Sequence, residues 1–106
     1  MMYIPDKWVV VKITNRNKVI YKVLATWEYG NIRTESWRLN SGITHCEFDD
    51  DFWYFYGESG SVYKCQRNAE GLSGYILYIY NSLSTSVDLS DFDASLKVIY
   101  AYSKEQ

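Results

Sequence analysis

The stretch KWVVVKITNRNKVIYKVLATW, residues 7–27, decides the fold. Two runs rich in β-branched residues flank the polar group Asn15-Arg16-Asn17-Lys18, the pattern of a β-hairpin. Side chains alternate along a strand, so Val9, Val11 and Ile13 share one face of the first run. By the same rule Val19, Tyr21, Val23, Ala25 and Trp27 share a face of the second.

Downstream, residues 28–31 form a turn around Gly30, and residues 32–39 carry a third strand centred on Trp37. Asn40-Ser41-Gly42 tolerates the left-handed backbone of a tight turn. A fourth strand over 43–48 ends at Asp49-Asp50-Asp51, and the aromatic run 52–56 is a fifth. Gly57-Glu58-Ser59-Gly60 turns it into a sixth over 61–66. Short connections in succession favour an antiparallel meander, because parallel neighbours need long crossovers.

The period then changes. Leu72, Ile76, Ile79 and Leu83 fall on one helical face, with Ser73 placed to cap the start and Leu72 just outside it. Tyr75-Ile76-Leu77-Tyr78-Ile79-Tyr80 also has high strand propensity, but spacing and cap favour a helix near residues 73–84. Residues 84–94 read as an acidic connection, and the alternation of Leu96, Val98, Tyr100 and Tyr102 as a final strand over 96–102. The expected fold is α+β: about seven strands in one curled, mostly antiparallel sheet, with the helix packed on it.

At 106 residues the chain has room for a single domain, residues 1–106. The composition is that of a globular protein except for 18% aromatic residues, from 11 Tyr, 4 Trp and 4 Phe. That is more ring area than so small a core needs, which places some of it at the surface. A formal charge of −2 lacks the basic excess of a general nucleic-acid binder. The first residues lack a long apolar stretch, and the longest apolar runs are too short to span a bilayer. These features predict a cytoplasmic protein with no membrane attachment.

The groups capable of chemistry amount to little. Cys46 and Cys65 lie in the fourth and sixth strands, about 9–10 Å apart if the fifth lies between them. A disulfide needs Cα atoms within about 7 Å, so two free thiols are expected. His45 and Cys46 are neighbours on a strand and face opposite ways, so they cannot share an ion or a substrate. No metal-ligand spacing accompanies them, and His45 is the sole histidine. Asp49-Asp50-Asp51 lacks the alternation and glycine of a calcium loop and reads as a solvated turn. Gly57-Glu58-Ser59-Gly60-Ser61 has no P-loop lysine, and Gly71-Leu72-Ser73-Gly74-Tyr75 lacks the second glycine of a nucleophile elbow. No catalytic residue, metal or cofactor is assigned.

The remaining signal is aromatic. Tyr54, Tyr56, Tyr63, Tyr75, Tyr78 and Tyr80 are interspersed with Ser, Gly and Asn, the mixture that recognition surfaces use. The plainer alternative is that many of them line the curled sheet with their hydroxyls in water. The candidate binding residues are Trp37, Tyr54, Tyr56, Tyr63, Tyr75 and Tyr78. Trp37-Arg38 and Tyr63-Lys64 set rings beside cations as in single-strand stacking platforms, but adjacent strand residues face apart.

Residues 3–10 (YIPDKWVV), 36–43 (SWRLNSGI) and 59–65 (SGSVYKC) resemble segments of small proteins encoded by bacteriophages and their bacterial hosts. The resemblance covers most of the chain and implies a phage or prophage origin, but no activity and no functional residues. An accessory protein acting on a host or defence factor suits this size.

The expected function is a cytoplasmic binding module that recognises a protein partner through an aromatic-rich surface, with binding favoured over catalysis. The alternative is a small-ligand binder or small enzyme with a cleft between sheet and helix, lined by Tyr63, His45, Cys65 and Trp37. Single-stranded nucleic acid comes third, disfavoured by charge. Self-association through an exposed sheet edge is a further option.

Overall fold

The computed structural model of the protein describes residues 1–15, 17–28, 36–86 and 92–94. In chain order the elements are β1 (Met2–Tyr3), β2 (Lys7–Asn15), β3 (Lys18–Trp27), β4 (Ser36–Leu39), β5 (Ile43–Phe48), β6 (Phe52–Gly57) and β7 (Val62–Gln66). A 3-10 turn (Arg67–Ala69), helix α1 (Gly74–Ser86) and β8 (Phe92–Ala94) follow.

The β2–β3 hairpin runs in unbroken register from Lys7 opposite Thr26 to Asn15 opposite Lys18. Its turn uses Asn17 at φ 71°, a left-handed position that asparagine accepts more readily than most residues. β4 joins the free side of β3 and β8 the free side of β2, giving a sheet ordered β4-β3-β2-β8. The remaining strands make a second sheet, β1-β7-β6-β5, antiparallel except where β1 runs parallel to β7.

Three layers result: an outer sheet (β1-β7-β6-β5), a middle sheet (β4-β3-β2-β8) and the helix. On one face of the middle sheet Trp8, Val10, Val23 and Ala25 meet Cys46, Trp53, Phe55, Tyr63 and Cys65 of the outer sheet. On its other face Val9, Val11 and Leu24 meet Ile76 and Ile79 of α1. Leu72 and Leu83 join the second cluster, so the four residues of the helical stripe all face the sheet. The indole of Trp8 also donates to the carbonyl of Gln66 at 2.7 Å, tying the two sheets together.

The protein is α+β and rich in antiparallel pairing, as its periods predict, but the strands form two sheets and not one curled one. The chain changes sheets at Asn40-Ser41-Gly42. Asn40 accepts the Val23 N–H on its side-chain oxygen (2.8 Å) and donates its own N–H to the Val23 carbonyl (3.0 Å), closing the middle sheet. Gly42 then turns away at φ 141°, where a Cβ would approach the Glu58 side chain to 3.3 Å.

Other differences are local. β1 is a two-residue strand that no period could mark. β8 lies where a connection was expected, and α1 runs to Ser86. Residues 29–31 of the expected turn, 32–35 of the expected third strand and the whole expected strand over 96–102 lie outside the described residues. Cys46 and Cys65 flank β6, opposite Phe55 and Trp53, and both are buried free thiols. Burial pushes the Cys65 thiol well above its ordinary pKa. No helix among the described residues is long and apolar enough to cross a membrane.

Candidate functional site

Alternation along β6 sorts its aromatic residues between two faces. Trp53 and Phe55 point inward and are buried, while Phe52, Tyr54 and Tyr56 lie on the opposite face, half-buried. The register builds rows across that outward face. Tyr56 stands between His45 and Val62, with Met2 beyond; Tyr54 stands between Glu47 and Lys64; Phe52 is beside Gln66. The helix lies on the far side of the molecule against the middle sheet, and among the described residues it leaves this face open.

The polar groups of this face are ordered by one another. Tyr54 donates its hydroxyl to Asp49 Oδ2 at 3.0 Å, and Tyr56 donates to Glu47 Oε2 at 3.2 Å. His45 Nε2 lies 3.7 Å from the same Glu47 oxygen, and its ring is 5.2 Å from that of Tyr56. Asp49 Oδ1 accepts the backbone N–H groups of Asp51 (2.9 Å) and Phe52 (2.7 Å), closing the turn into β6. Those two bonds hold the Asp49 carboxyl below its ordinary pKa, and the bond to Asp49 pushes the Tyr54 phenol up. Partial desolvation and then the bond to Glu47 do the same for Tyr56.

Lys64 completes the face. Its ammonium stands 4.4 Å from the Phe52 ring centre and 5.9 Å from that of Tyr54, a cation–π arrangement. Among the described residues no carboxylate lies within 4.0 Å of the Lys64 ammonium, though its charge helps to lower the Asp49 carboxyl. The arrangement supplies rigid rings, ordered phenol oxygens and a cation held over two of the rings.

The six residues singled out by sequence fall in separate places, and only Tyr54 and Tyr56 belong to this face. Tyr63 points inward at 2% exposure with its ring 5.0 Å from that of Tyr3. It pairs with Phe55 across the strands and therefore shares the inward face. Trp37 is 40% exposed on β4, in the other sheet. Tyr75 and Tyr78 stack on α1 at 6.4 Å, and Tyr78 is 66% exposed. Phe52 and Glu47, which strand parity places on this face, are not among those six; His45 and Lys64 figure only in the cleft and stacking readings, and Met2 lies on a two-residue strand that no period marks.

His45 is exposed and Cys46 buried, on opposite faces as their adjacency requires. Asp49, Asp50 and Asp51 are all exposed at the strand junction. A cleft of about 300 Å³ opens beside that junction, lined by Asp50, Asp51, Phe52, Gln66, Arg67 and Asn68. Another, of about 270 Å³, opens where β1 of the outer sheet meets β3 and β4 of the middle one, lined by Tyr3, Trp27, Ser36, Trp37 and Arg38. Neither lies between sheet and helix. Of the residues expected to line a cleft there, Tyr63 and Cys65 are buried between the sheets, His45 is on the open face and Trp37 lines the second cleft.

No family model matches the chain, and no curated protein or solved structure does either.

Proposed function

We propose that the protein is a cytoplasmic binding module, of phage or prophage origin, that recognises a partner protein with the open face of its outer sheet. One observation carries this reading: Phe52, Tyr54 and Tyr56 sit on the face of β6 that no described element covers. The inward set already fills the space between the sheets. Three aromatic residues at outward positions add nothing to solubility, whereas rings beside polar neighbours are what interface centres are enriched in. The partner fitted to this face brings an apolar patch to the rings and a carboxylate to Lys64.

The test is capture by tagged protein from lysate of the source organism or its host, with nuclease present, read by mass spectrometry. The expected result is one protein that survives nuclease, is lost with Lys64→Glu and is retained with Tyr78→Ser, a change on the exposed side of the helix. Loss of every captured protein on nuclease treatment contradicts the reading, as does equal capture by Lys64→Glu.

A further inference from the structure

Two arginines line the two clefts, and their surroundings differ. In the first cleft Arg67 donates from Nη1 to the Asp49 carbonyl at 2.9 Å and lies beside Asp50 and Asp51. Its guanidinium rests over the rings of Trp53 (5.3 Å) and Phe48 (5.5 Å), and the Asp49 carbonyl takes one of its donors. In the second cleft Arg38 has no carboxylate within 4.0 Å among the described residues. It lies 4.5 Å over the Tyr3 ring, and burial pushes the Tyr63 phenol up against a smaller downward pull from the Arg38 charge.

The ring contact places the guanidinium without supplying a negative charge to it. A guanidinium carries five N–H donors in a rigid fork. The walls beside it are aromatic. Tyr3 and Trp27 meet edge to face at 6.3 Å, and Trp27 gives its indole N–H to the Ile4 carbonyl at 2.9 Å, leaving its ring as wall. Trp37, 40% exposed, also borders the cleft, although it alternates with Arg38 along β4.

We infer that this cleft is a binding site for a small planar organic anion: one or two fused rings carrying a carboxylate or phosphate. The ring system lies against the Trp27 and Tyr3 side chains, and the acid pairs with the Arg38 fork. Charge complementarity selects the anion, and the size of the cleft, about 270 Å³, limits it to a ligand of that scale. The site is separate from the open face of the outer sheet, and its occupancy does not depend on that face having a partner.

The experiment is a titration of the whole protein followed by the ¹H–¹⁵N signals of its 4 indole groups. Four probes are used: indole-3-acetate, adenosine 5′-monophosphate, inorganic phosphate and neutral indole. Either planar anion is expected to move the Trp27 and Trp37 signals, and the tighter of the two identifies the acid group. Trp8, fully buried, and Trp53 hold still and report an intact fold. Arg38→Gln is expected to weaken binding by about 10- to 100-fold, the usual worth of a charge-assisted hydrogen bond, with Arg38→Lys in between. Phosphate alone and indole alone should bind about tenfold or more weakly than the joined molecule. The inference fails if neither planar anion moves those signals at millimolar concentration, if neutral indole binds as tightly as the anions, or if Arg38→Gln binds unchanged.

Discussion

Strands β2 and β6 both carry dense apolar sequence, and the protein treats them differently. In β2, Trp8, Val9, Val10 and Val11 are all at or below 1% exposure, two facing the outer sheet and two the helix. In β6, Trp53 and Phe55 are hidden while Phe52, Tyr54 and Tyr56, no less aromatic, stand on the open side. An apolar residue facing a covering layer is accounted for by packing. One facing away from every described layer is not, and that sets the open face of β6 apart from the packed part of the molecule.

The largest effects should come from rings between the sheets. Phe55→Ala removes a fully buried ring and should cost about 3–5 kcal/mol in urea unfolding. Trp8→Ala should cost at least as much, since it also deletes the 2.7 Å bond to Gln66. Losses below about 1 kcal/mol would mean that the two sheets are not packed as described.

A finer test asks whether both faces of β2 are covered. Val9→Ala opens the helix side and Val10→Ala the outer-sheet side. Each should cost about 1–3 kcal/mol, from the lost methyl groups and the cavities they leave. A near-zero cost for either would show that its face is not packed.

Much of this layering was legible from sequence and some was not, for a physical reason. Alternation tells which residues share a face but not what covers it. The hairpin, the next four strands to within a few residues where described, and the helical stripe of Leu72, Ile76, Ile79 and Leu83 follow from period alone. The division into two sheets does not, because it turns on Asn40 closing one sheet while Gly42 starts the other. The unalternating run from Trp8 to Val11 was a signal of double coverage, the mark of a strand buried on both faces. At the candidate site parity alone puts Tyr54 and Tyr56 on one face, whereas the side that Tyr63 takes depends on its register opposite Phe55.

The smallest effects are electrostatic and run in opposite directions in the two regions. On the open face Asp49 has its pKa lowered by backbone N–H groups, so its contribution to stability is present above the unfolded value, about 3.9, and lost as pH falls through the folded one. Asp49→Asn should therefore reduce stability at pH 7 slightly and flatten the acid limb below about pH 4. Beside β2, Glu70 is half-buried with Oε2 enclosed and unpartnered, and burial raises its pKa against an opposing pull from Arg67. A carboxyl with a raised folded pKa costs stability once pH passes its unfolded value, about 4.3. Glu70→Gln should accordingly stabilise the protein at neutral pH and make no such gain in acid. Unfolding curves from pH 3 to 8 check both signs.

The most direct test of the account is the urea unfolding of the double variant Tyr54→Ser, Tyr56→Ser beside Phe55→Ala. If the open face is there for recognition, removing two of its rings should change stability by no more than about 1 kcal/mol, while the single inward change costs about 3 kcal/mol or more. Equal losses would show that the outward rings belong to the core of the fold and would contradict the account.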